Sequence, residues 1–571
     1  MRLLLIPLVN LLLLVRALLG LPFRLLASRS RPAYIRFRLT GDPPYRESPR
    51  RRRLSLGGQG RPEPATVTSL EGFRHALELL AKDPKVKGIL VELEGLEVPP
   101  AKREVLVKLL EGFRAAGKRV VAWAVSTDSL GYQVMCAADE ALLSPEGRLE
   151  LVGYAAEATA IGEGLGRLGI KAHFFRRGPY KTAPELFTHP HVTDIQRQTL
   201  EGFLDERFTE LVDTVAKGRK RTPEEVRAWI DAGPYSAKRA AAAGLIDGLC
   251  SEVDLRARLG MKEGDEEDED EDEGLEPFPM YLARLPWPPV KWRPLRPRPR
   301  LAVVPLSGMI VPGKGGSGGP GPEMAGSDVA VKALRAAGRD RRSKAVVLYI
   351  ASPGGSALAS ELILEAVQRV AKKKPVIAFV DRVAASGGYM AALGAREIWA
   401  TPHAIVGSIG VFGGKFDASE LLGKLGIHRT QIVRGRNAGL YSPMRGFTED
   451  ERAAMEREME ETYQTFLEFV AKARGRTKEE IHALAEGRVY SGTRALGVGL
   501  VDKTGGFEEA CRHAMELAKA PTERFELHLF GGPDRRFSLL KLLLGGSQAG
   551  LYALCPTAWG LLGFRGGERF K

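Results

Sequence analysis

The stretch "DRVAASGGYMAALGA" (Asp381–Ala395) sets one hydroxyl, Ser386, between an apolar run and two glycines, and an alanine-rich helical pattern follows at once. A serine where a strand turns into a helix is exposed at the helix start, where backbone amides face an anion. The structural alternative is that small residues there let the helix pack close to the sheet. A second stretch, "ASPGGSA" (Ala351–Ala357), places Gly354 and Gly355 directly after a buried-strand pattern. Paired glycines let the backbone approach a ligand and offer N–H groups, which suits an oxyanion hole; the alternative is an ordinary tight turn. A third, "GPYKTAPE" (Gly178–Glu185), carries Lys181. A lone lysine is ordinarily a solvated surface residue.

These stretches gain meaning from an internal duplication. Aligning "SLGYQVMCAADEALLSP" with "SGGYMAALGAREIWATP" pairs Ser129 with Ser386, Gly131 with Gly388, Tyr132 with Tyr389 and Pro145 with Pro402. The same offset pairs Leu168–Ile170 with Leu425–Ile427, both "LGI", and Gly178 with Gly435. One unit of roughly 230 residues is written twice. Each copy alternates buried-strand runs ("KVKGILVELEG", "SKAVVLYIASPGG") with helical spacing of apolar residues ("SLEGFRHALELLAKD", "SELILEAVQRVAKK"), which indicates α/β layering with parallel strands. The copies differ reciprocally. The second has the double glycine where the first reads "GLEVP", and Gly387 where the first has Leu130. The first has Lys181 where the second has Ala438.

The predicted organisation is a membrane anchor at 1–32, a first repeat at 33–262, an acidic and Pro-rich linker at 263–300, a second repeat at 301–530 and an apolar tail at 531–571. The run "EGDEEDEDEDEG" self-repels and reads as a solvated spacer. Leu3–Phe23 is apolar apart from Asn10 and Arg16, long enough either to span a bilayer or to lie on one. The formal net charge of +14 gathers in loop-like clusters such as Arg50–Arg53 and "KWRPLRPRPR". A membrane surface fits these better than nucleic acid, for which no aromatic-interleaved basic element stands out. The four cysteines lie far apart, without metal-ligand spacing, so no metal or cofactor is expected.

With "ASPGGSA", "DRVAASGGYMAALGA", "VGSIGVFGG" and "GPYKTAPELF" together, the chain resembles the signal peptide peptidase A family, also called protease IV, in its long duplicated form, over nearly all of Tyr34–Ala520. The resemblance implies a tandem duplication of a domain similar to the caseinolytic-protease/crotonase-like βαβ spiral, with Ser386 as nucleophile and Lys181 as general base. It also implies attachment to a bacterial cell membrane with the protease on the extracytoplasmic face, a tetrameric homo-oligomer, and signal-peptide remnants as substrates. The chemistry is consistent. A serine hydroxyl needs an adjacent base, and none of the nine histidines sits in the paired blocks at a triad position. A lysine serves once burial favours its neutral form. Amides of Gly354, Gly355 and Gly387 are candidates for the oxyanion hole. Ser408, in "VGSIGV", is a candidate to orient the lysine, or a structural turn serine.

Two features depart from that family. Arg24, Arg29 and Arg31 follow the apolar N-terminal run, which favours a cytoplasmic C-terminal flank. The tail "FSLLKLLLGGSQAGLYALCPTAWGLLGF" is unusual and reads as a membrane or subunit contact, or as a plain extension. Two other function classes stand against the peptidase: a crotonase-like acyl-CoA enzyme, which would need neither the Lys181–Ser386 combination nor an anchor, and a non-catalytic membrane scaffold.

Overall fold

Buried, β-branched runs flanked by amphipathic helices produce two open sheets, each in its own unit, parallel in unit 1 and mostly parallel in unit 2. The computed structural model describes residues 2–19, 32–45, 65–261, 275–285, 298–316, 324–522 and 525–531. By its contacts the chain divides into unit 1, built from residues up to Ala155 and from Asp205–Pro297, and unit 2, built from Ala156–Leu204 and the described residues from Arg298 on. The boundary at Leu204 falls inside the helix Asp194–Arg219.

In unit 1 six strands run parallel in the order Leu275–Pro277, Tyr34–Gly41, Gly88–Leu96, Arg119–Ala124, Glu140–Leu143, Gly248–Leu249. The helix Leu70–Lys82 shows how one face is covered. Ser69 caps it by accepting the Gly72 amide, and Leu70, Phe73, Leu77 and Leu80 are buried at helical spacing. Part of the segment expected as linker is structured here. Leu275–Pro277 pairs in parallel with Tyr34–Arg36, and Tyr281 is buried with its hydroxyl donating to Asp83 at 2.9 Å. A proline-rich segment can do this because an edge strand tolerates missing N–H groups on its open side. The rest of the acidic and Pro-rich stretch, and the apolar tail beyond Gly531, lie outside the described residues.

Unit 2 repeats those six strands within an eight-stranded sheet that adds Ile405–Gly407 and, antiparallel to it, Val489–Ser491. Glu526–Leu529, Arg300–Ser307, Ser343–Ser352, Val376–Ala385, Glu397–Ala400 and Lys503–Thr504 follow one another in the same order, again all parallel. Matching tyrosines lock matching helices: Tyr132 donates to the Leu245 carbonyl in unit 1, and Tyr389 to the Leu500 carbonyl at 2.7 Å in unit 2. The expected tandem α/β duplication is therefore present in the topology itself.

Unit 2 also holds an antiparallel pair drawn from both repeats, Lys171–Arg177 against Val411–Asp417. The helix Glu449–Arg474 packs beside it. Its residue Glu460 accepts from Arg177 Nε at 2.7 Å, and the Arg452 guanidinium lies 5.5 Å from the Phe175 ring centre. Thr448 and Glu451 form a reciprocal capping box at the start of this helix. Glu451 is fully buried and takes two 2.6 Å hydrogen bonds from Arg445. Those bonds hold its carboxyl down at about 2, against the opposing effect of burial.

At the N-terminus, Arg2–Leu19 is helical. Among the described residues no helix is long and apolar enough to cross a membrane. Of the expected run to Phe23 the structure describes Arg2–Leu19, all helical, and residues 20–31 lie outside the described residues.

A carboxyl depressed in the folded state stabilises above its unfolded pKa of about 4.3 and loses that contribution as pH falls toward about 2. Glu451→Gln should thus cost about 1.5–3 kcal/mol at pH 7. It should also flatten the fall of stability between about pH 4 and pH 2, measured by urea unfolding across that range.

Candidate active site

Ser386 sits where the strand Val376–Ala385 ends and the helix Gly387–Ala392 begins. Its backbone is held at φ 52°, ψ −120°, a region that costs a non-glycine residue about 1–3 kcal/mol. Two hydrogen bonds hold this geometry: its N–H donates to the Gly407 carbonyl at 2.8 Å, and its own carbonyl accepts from the Met390 amide at 2.9 Å. The residue is only 1% exposed. A strained serine on a strand–turn–helix junction is the geometry of a nucleophile elbow.

Small residues surround it for steric reasons. A Cβ on Gly387 would fall 2.2 Å from Ser360 Oγ, so the Leu130 of the first copy could not stand here. Gly354 adjoins the serine closely: a Cβ built on it would lie 2.8 Å from the Ser386 Cβ. The Gly354–Gly355 turn is pinned to Ile310, whose amide donates to the Gly354 carbonyl at 2.8 Å and whose carbonyl accepts from the Ser356 amide at 2.9 Å.

The lysine reaches unit 2 on the strand Lys171–Arg177. Its register against Val411–Asp417 runs from Arg177 opposite Val411 to Lys171 opposite Asp417. The chain then turns at Gly178, and the Lys181 amide donates to the Gly178 carbonyl at 3.1 Å. The turn lies on the segment Glu486–Arg488. Tyr180 N–H donates to the Glu486 carbonyl at 3.0 Å, and the Arg488 guanidinium sits 4.3 Å from the Tyr180 ring centre. A Cβ on Gly487 would fall 2.4 Å from the Lys181 nitrogen and 2.7 Å from its Cα, so only glycine lets the two backbones touch. Buried Glu185 braces the far side of the loop, bonded to Arg176 and accepting from Thr193 Oγ1 at 2.6 Å.

Lys181 is 1% exposed, and its Nζ donates to both the carbonyl and the hydroxyl of Ser408, each at 2.9 Å. Ser408 is itself at φ 51°, with its amide donating to the Arg488 carbonyl. Gly407 accepts from the Ser386 amide and Ser408 accepts from the Lys181 amine, so serine and lysine converge on two consecutive residues. All six expected residues (Ser386, Lys181, Gly354, Gly355, Gly387 and Ser408) fall in unit 2. Sequence reading passed over Gly487, Arg488 and Glu185. Glu185 lay within a quoted motif, whereas nothing local marks "AEGRVY" as the seat of the lysine. A cavity of about 340 Å³ beside the lysine strand is lined by His173, Arg176, Glu185, His189 and Arg452 among others, but by none of the six.

The counterpart in unit 1 is built differently. Ser129 opens the helix Ser129–Met135, and the preceding Asp128 caps it. Asp128 Oδ1 accepts from the amides of Leu130 at 3.1 Å and Gly131 at 2.8 Å, so a carboxylate of the chain itself already occupies the helix-start donors. Burial raises the Asp128 carboxyl, and those amide bonds oppose the rise. The Ser129 hydroxyl donates to the Glu150 carbonyl at 3.2 Å.

This chain has relatives among known proteins. A family model described as peptidase family S49 matches it twice, over residues 112–264 and 368–521. Protease 4 of Haemophilus influenzae is 30% identical over 497 residues, which cover 83% of this chain and 77% of that protein. Protease 4 of Salmonella typhi is 30% identical over 463 residues, covering 79% and 72% respectively. A chloroplastic serine protease of Arabidopsis thaliana is 27% identical over 452 residues, covering 78% of this chain and 65% of that one. Among solved structures, a ClpP1 mutant of Listeria monocytogenes overlaps 37% of this chain and 94% of its own at 14% identity, with a TM-score of 0.24, too low to carry an argument.

The contact between Gly487 and Lys181 is open to direct test. Amine acetylation followed by mass spectrometry should leave Lys181 unmodified in the native protein, because its amine is buried. Gly487→Ala must displace the lysine turn and should raise Lys181 modification at least several-fold; unchanged protection would mean that the turn is held elsewhere.

Proposed function

This chain belongs to peptidase family S49, and we propose that it is a serine endopeptidase in which Ser386 is the nucleophile and Lys181 the general base. The observation that carries this reading is the pair of hydrogen bonds from Lys181 Nζ to Ser408, one residue beyond the carbonyl that holds the Ser386 amide. A neutral amine has two hydrogens and one lone pair. With both hydrogens donated to Ser408, the lone pair is the position left to take the serine proton. Removal from water favours the neutral amine over the ammonium.

In the proposed reaction the Ser386 hydroxyl oxygen attacks the scissile carbonyl carbon while its proton passes to Lys181 Nζ. The negative charge that develops on the carbonyl oxygen is met by amides of Gly355 and Gly387, one such donor being worth about 10²–10³ in rate, whereas the Gly354 amide is already engaged, donating to Ser352 Oγ at 3.2 Å. The lysine ammonium then protonates the leaving amine. Water, deprotonated by the same lysine, releases the acyl group and restores the serine. Ser408 acts through Lys181 and is a positioning residue.

We propose apolar peptides, signal-peptide remnants among them, as substrates. Support comes from the aromatic cluster on the lysine strand pair, where Phe174 lies 5.4 Å from Phe416 and Phe187 lies 5.3 Å from Phe416, with Phe416 37% exposed. Association with a cell membrane is proposed through the helix Arg2–Leu19 lying in the interface, since Leu11, Leu12, Val15 and Leu18 are exposed. Labelling by a serine-directed fluorophosphonate separates the peptidase from the acyl-CoA enzyme and the scaffold: label on Ser386 supports the first, and an unlabelled folded chain removes it.

Ser386→Ala and Lys181→Ala should each lower peptide hydrolysis by a factor on the order of 10⁴ or more while circular dichroism stays unchanged. Near-normal turnover by a folded Lys181→Ala variant would sink the base assignment. Ser129→Ala should keep full activity, because Asp128 fills its donors; a large loss at unchanged stability would mean that unit 1 does chemistry too. A base that must be neutral makes kcat/KM rise with pH through its working pKa and then level off. A kcat/KM profile flat from acid to alkaline pH would contradict a titrating lysine.

A further inference from the structure

The proposed chemistry makes no use of the cavity of about 340 Å³ beside the lysine strand. It lies wholly within unit 2. Two of its walls are the arms of the lysine turn: Ala172–Arg176 on the strand that leads in, and Pro184, Glu185, Thr188 and His189 on the segment that leads out. Arg452, from the helix Glu449–Arg474, adds a third side. Ligand sites occupy about 300–1,000 Å³, so this one suits a small molecule rather than a length of chain.

The walls combine apolar surface with one uncancelled positive charge. Ala172, Phe174, Phe175 and Pro184 give the apolar part. Glu185 and Arg176 neutralise each other, and the second oxygen of Glu185 accepts from Thr193 Oγ1 at 2.6 Å. Arg452 has no acidic partner among the described residues, and its guanidinium lies 5.5 Å from the Phe175 ring centre. The Nε2 atom of His173 is buried and has no hydrogen-bond partner among the described residues; Asp417 Oδ2, at 3.9 Å, is beyond hydrogen-bond reach. An orphaned polar atom on a cavity wall is a place for a ligand to bind. Burial holds His173 below the usual imidazole range; Asp417 opposes this, and Arg452, Lys415 and Lys171 add to it.

We propose that this cavity binds a small monocarboxylate with an apolar body, the carboxylate held by Arg452 and His173 and the body resting on Phe174, Phe175 and Pro184. A guanidinium meets a carboxylate through two parallel N–H donors, and a protonated imidazole adds a third. The C-terminal residue of a peptide and a free branched acid both carry this chemistry. Because the ligand touches both arms of the lysine turn, binding ties the strand Lys171–Arg177 to the segment around Glu185 and restrains the turn between them. An effect on rate rests on the Lys181 assignment; the binding does not. A bound carboxylate favours protonated His173, so binding takes up a proton and tightens as pH falls. The charged groups facing His173 are Lys171 on its own strand, Lys415 and Asp417 on the partner strand, and Arg452 on the helix. Burial would raise the Asp417 carboxyl, but hydrogen bonds from Ser419 outweigh it and keep Asp417 charged. Burial also lowers Lys415, so replacing His173 is needed to show which group takes the proton.

Isothermal titration calorimetry on the full chain tests it. The probes are N-acetyl-leucine and isocaproate as the two carboxylates, N-acetyl-leucinamide as the neutral control, and inorganic phosphate as an anion without an apolar body. At least one carboxylate should bind, and the tighter of the two names the source. The amide and phosphate should each bind about tenfold more weakly or worse. Arg452→Gln, at an exposed helix position, should weaken the carboxylate about tenfold or more at unchanged circular dichroism. Affinity should rise several-fold from about pH 8 to about pH 6, and His173→Gln should flatten that rise; this arm decides if Arg452→Gln fails to fold. No carboxylate binding at millimolar concentration, an amide or phosphate that binds as tightly, or full affinity in folded Arg452→Gln would each overturn the site. A chain that binds the carboxylate in this way but hydrolyses no peptide would keep the cavity site and remove the peptidase reading.

Discussion

The antiparallel pairing of Lys171–Arg177 with Val411–Asp417 is the constraint on which the candidate site depends. The sheet of unit 2 places Ser386 and its glycines, and Phe203 of the first repeat packs against Val383 and Ala385 beneath them. That sheet cannot place the lysine, because Ala438 occupies the matching position of the second repeat. The lysine arrives only because a strand of the first repeat is hydrogen-bonded into unit 2, with a register that ends at Arg177 and leaves the turn at Gly178 free to rest on Gly487. A slip of one residue in that register would turn every side chain to the other face and withdraw the turn from Ser408.

Local strain and local polarity are concentrated around this contact. Ser386 and Ser408 both hold a positive φ, and each is stabilised by a backbone hydrogen bond to a neighbouring element. The buried amine has two good acceptors, which offsets the cost of taking it from water. Around it the supports are larger than the site: the Arg445–Glu451 pair and the capping box fix the helix Glu449–Arg474, and that helix holds the lysine strand through Arg177 and Phe175.

The duplication has left two junctions of common ancestry in different chemical states. In unit 2 the strand-to-helix turn is strained and its donors are flanked by glycine. In unit 1 Asp128 caps the corresponding helix and Ser129 is turned to the Glu150 carbonyl. The difference needs few substitutions, since one capping carboxylate and one leucine in place of Gly387 suffice to fill the space and occupy the amides. Elsewhere the sheets keep one strand order and the same tyrosine lock, because those features serve packing in both.

The amino-acid sequence alone determined the duplication and the α/β layering, and it named the residues of the candidate site. These are local or self-repeating properties: apolar periods of two and 3.6, glycines after strands, and a register of identities held over long stretches. Its reciprocal differences singled out Ser386 and Lys181 before any contact was known. Only the tertiary structure decided that the lysine strand belongs with the second repeat's sheet, that Ser408 receives the amine, and that Gly487 and Glu185 seat its turn. Partners such as Lys181 and Gly487 stand some three hundred residues apart in the chain. A strand's own pattern says that it will pair but not with which edge, because every backbone presents the same donors and acceptors. The choice between edges is made by side-chain packing across the finished sheet, which no local window of sequence contains.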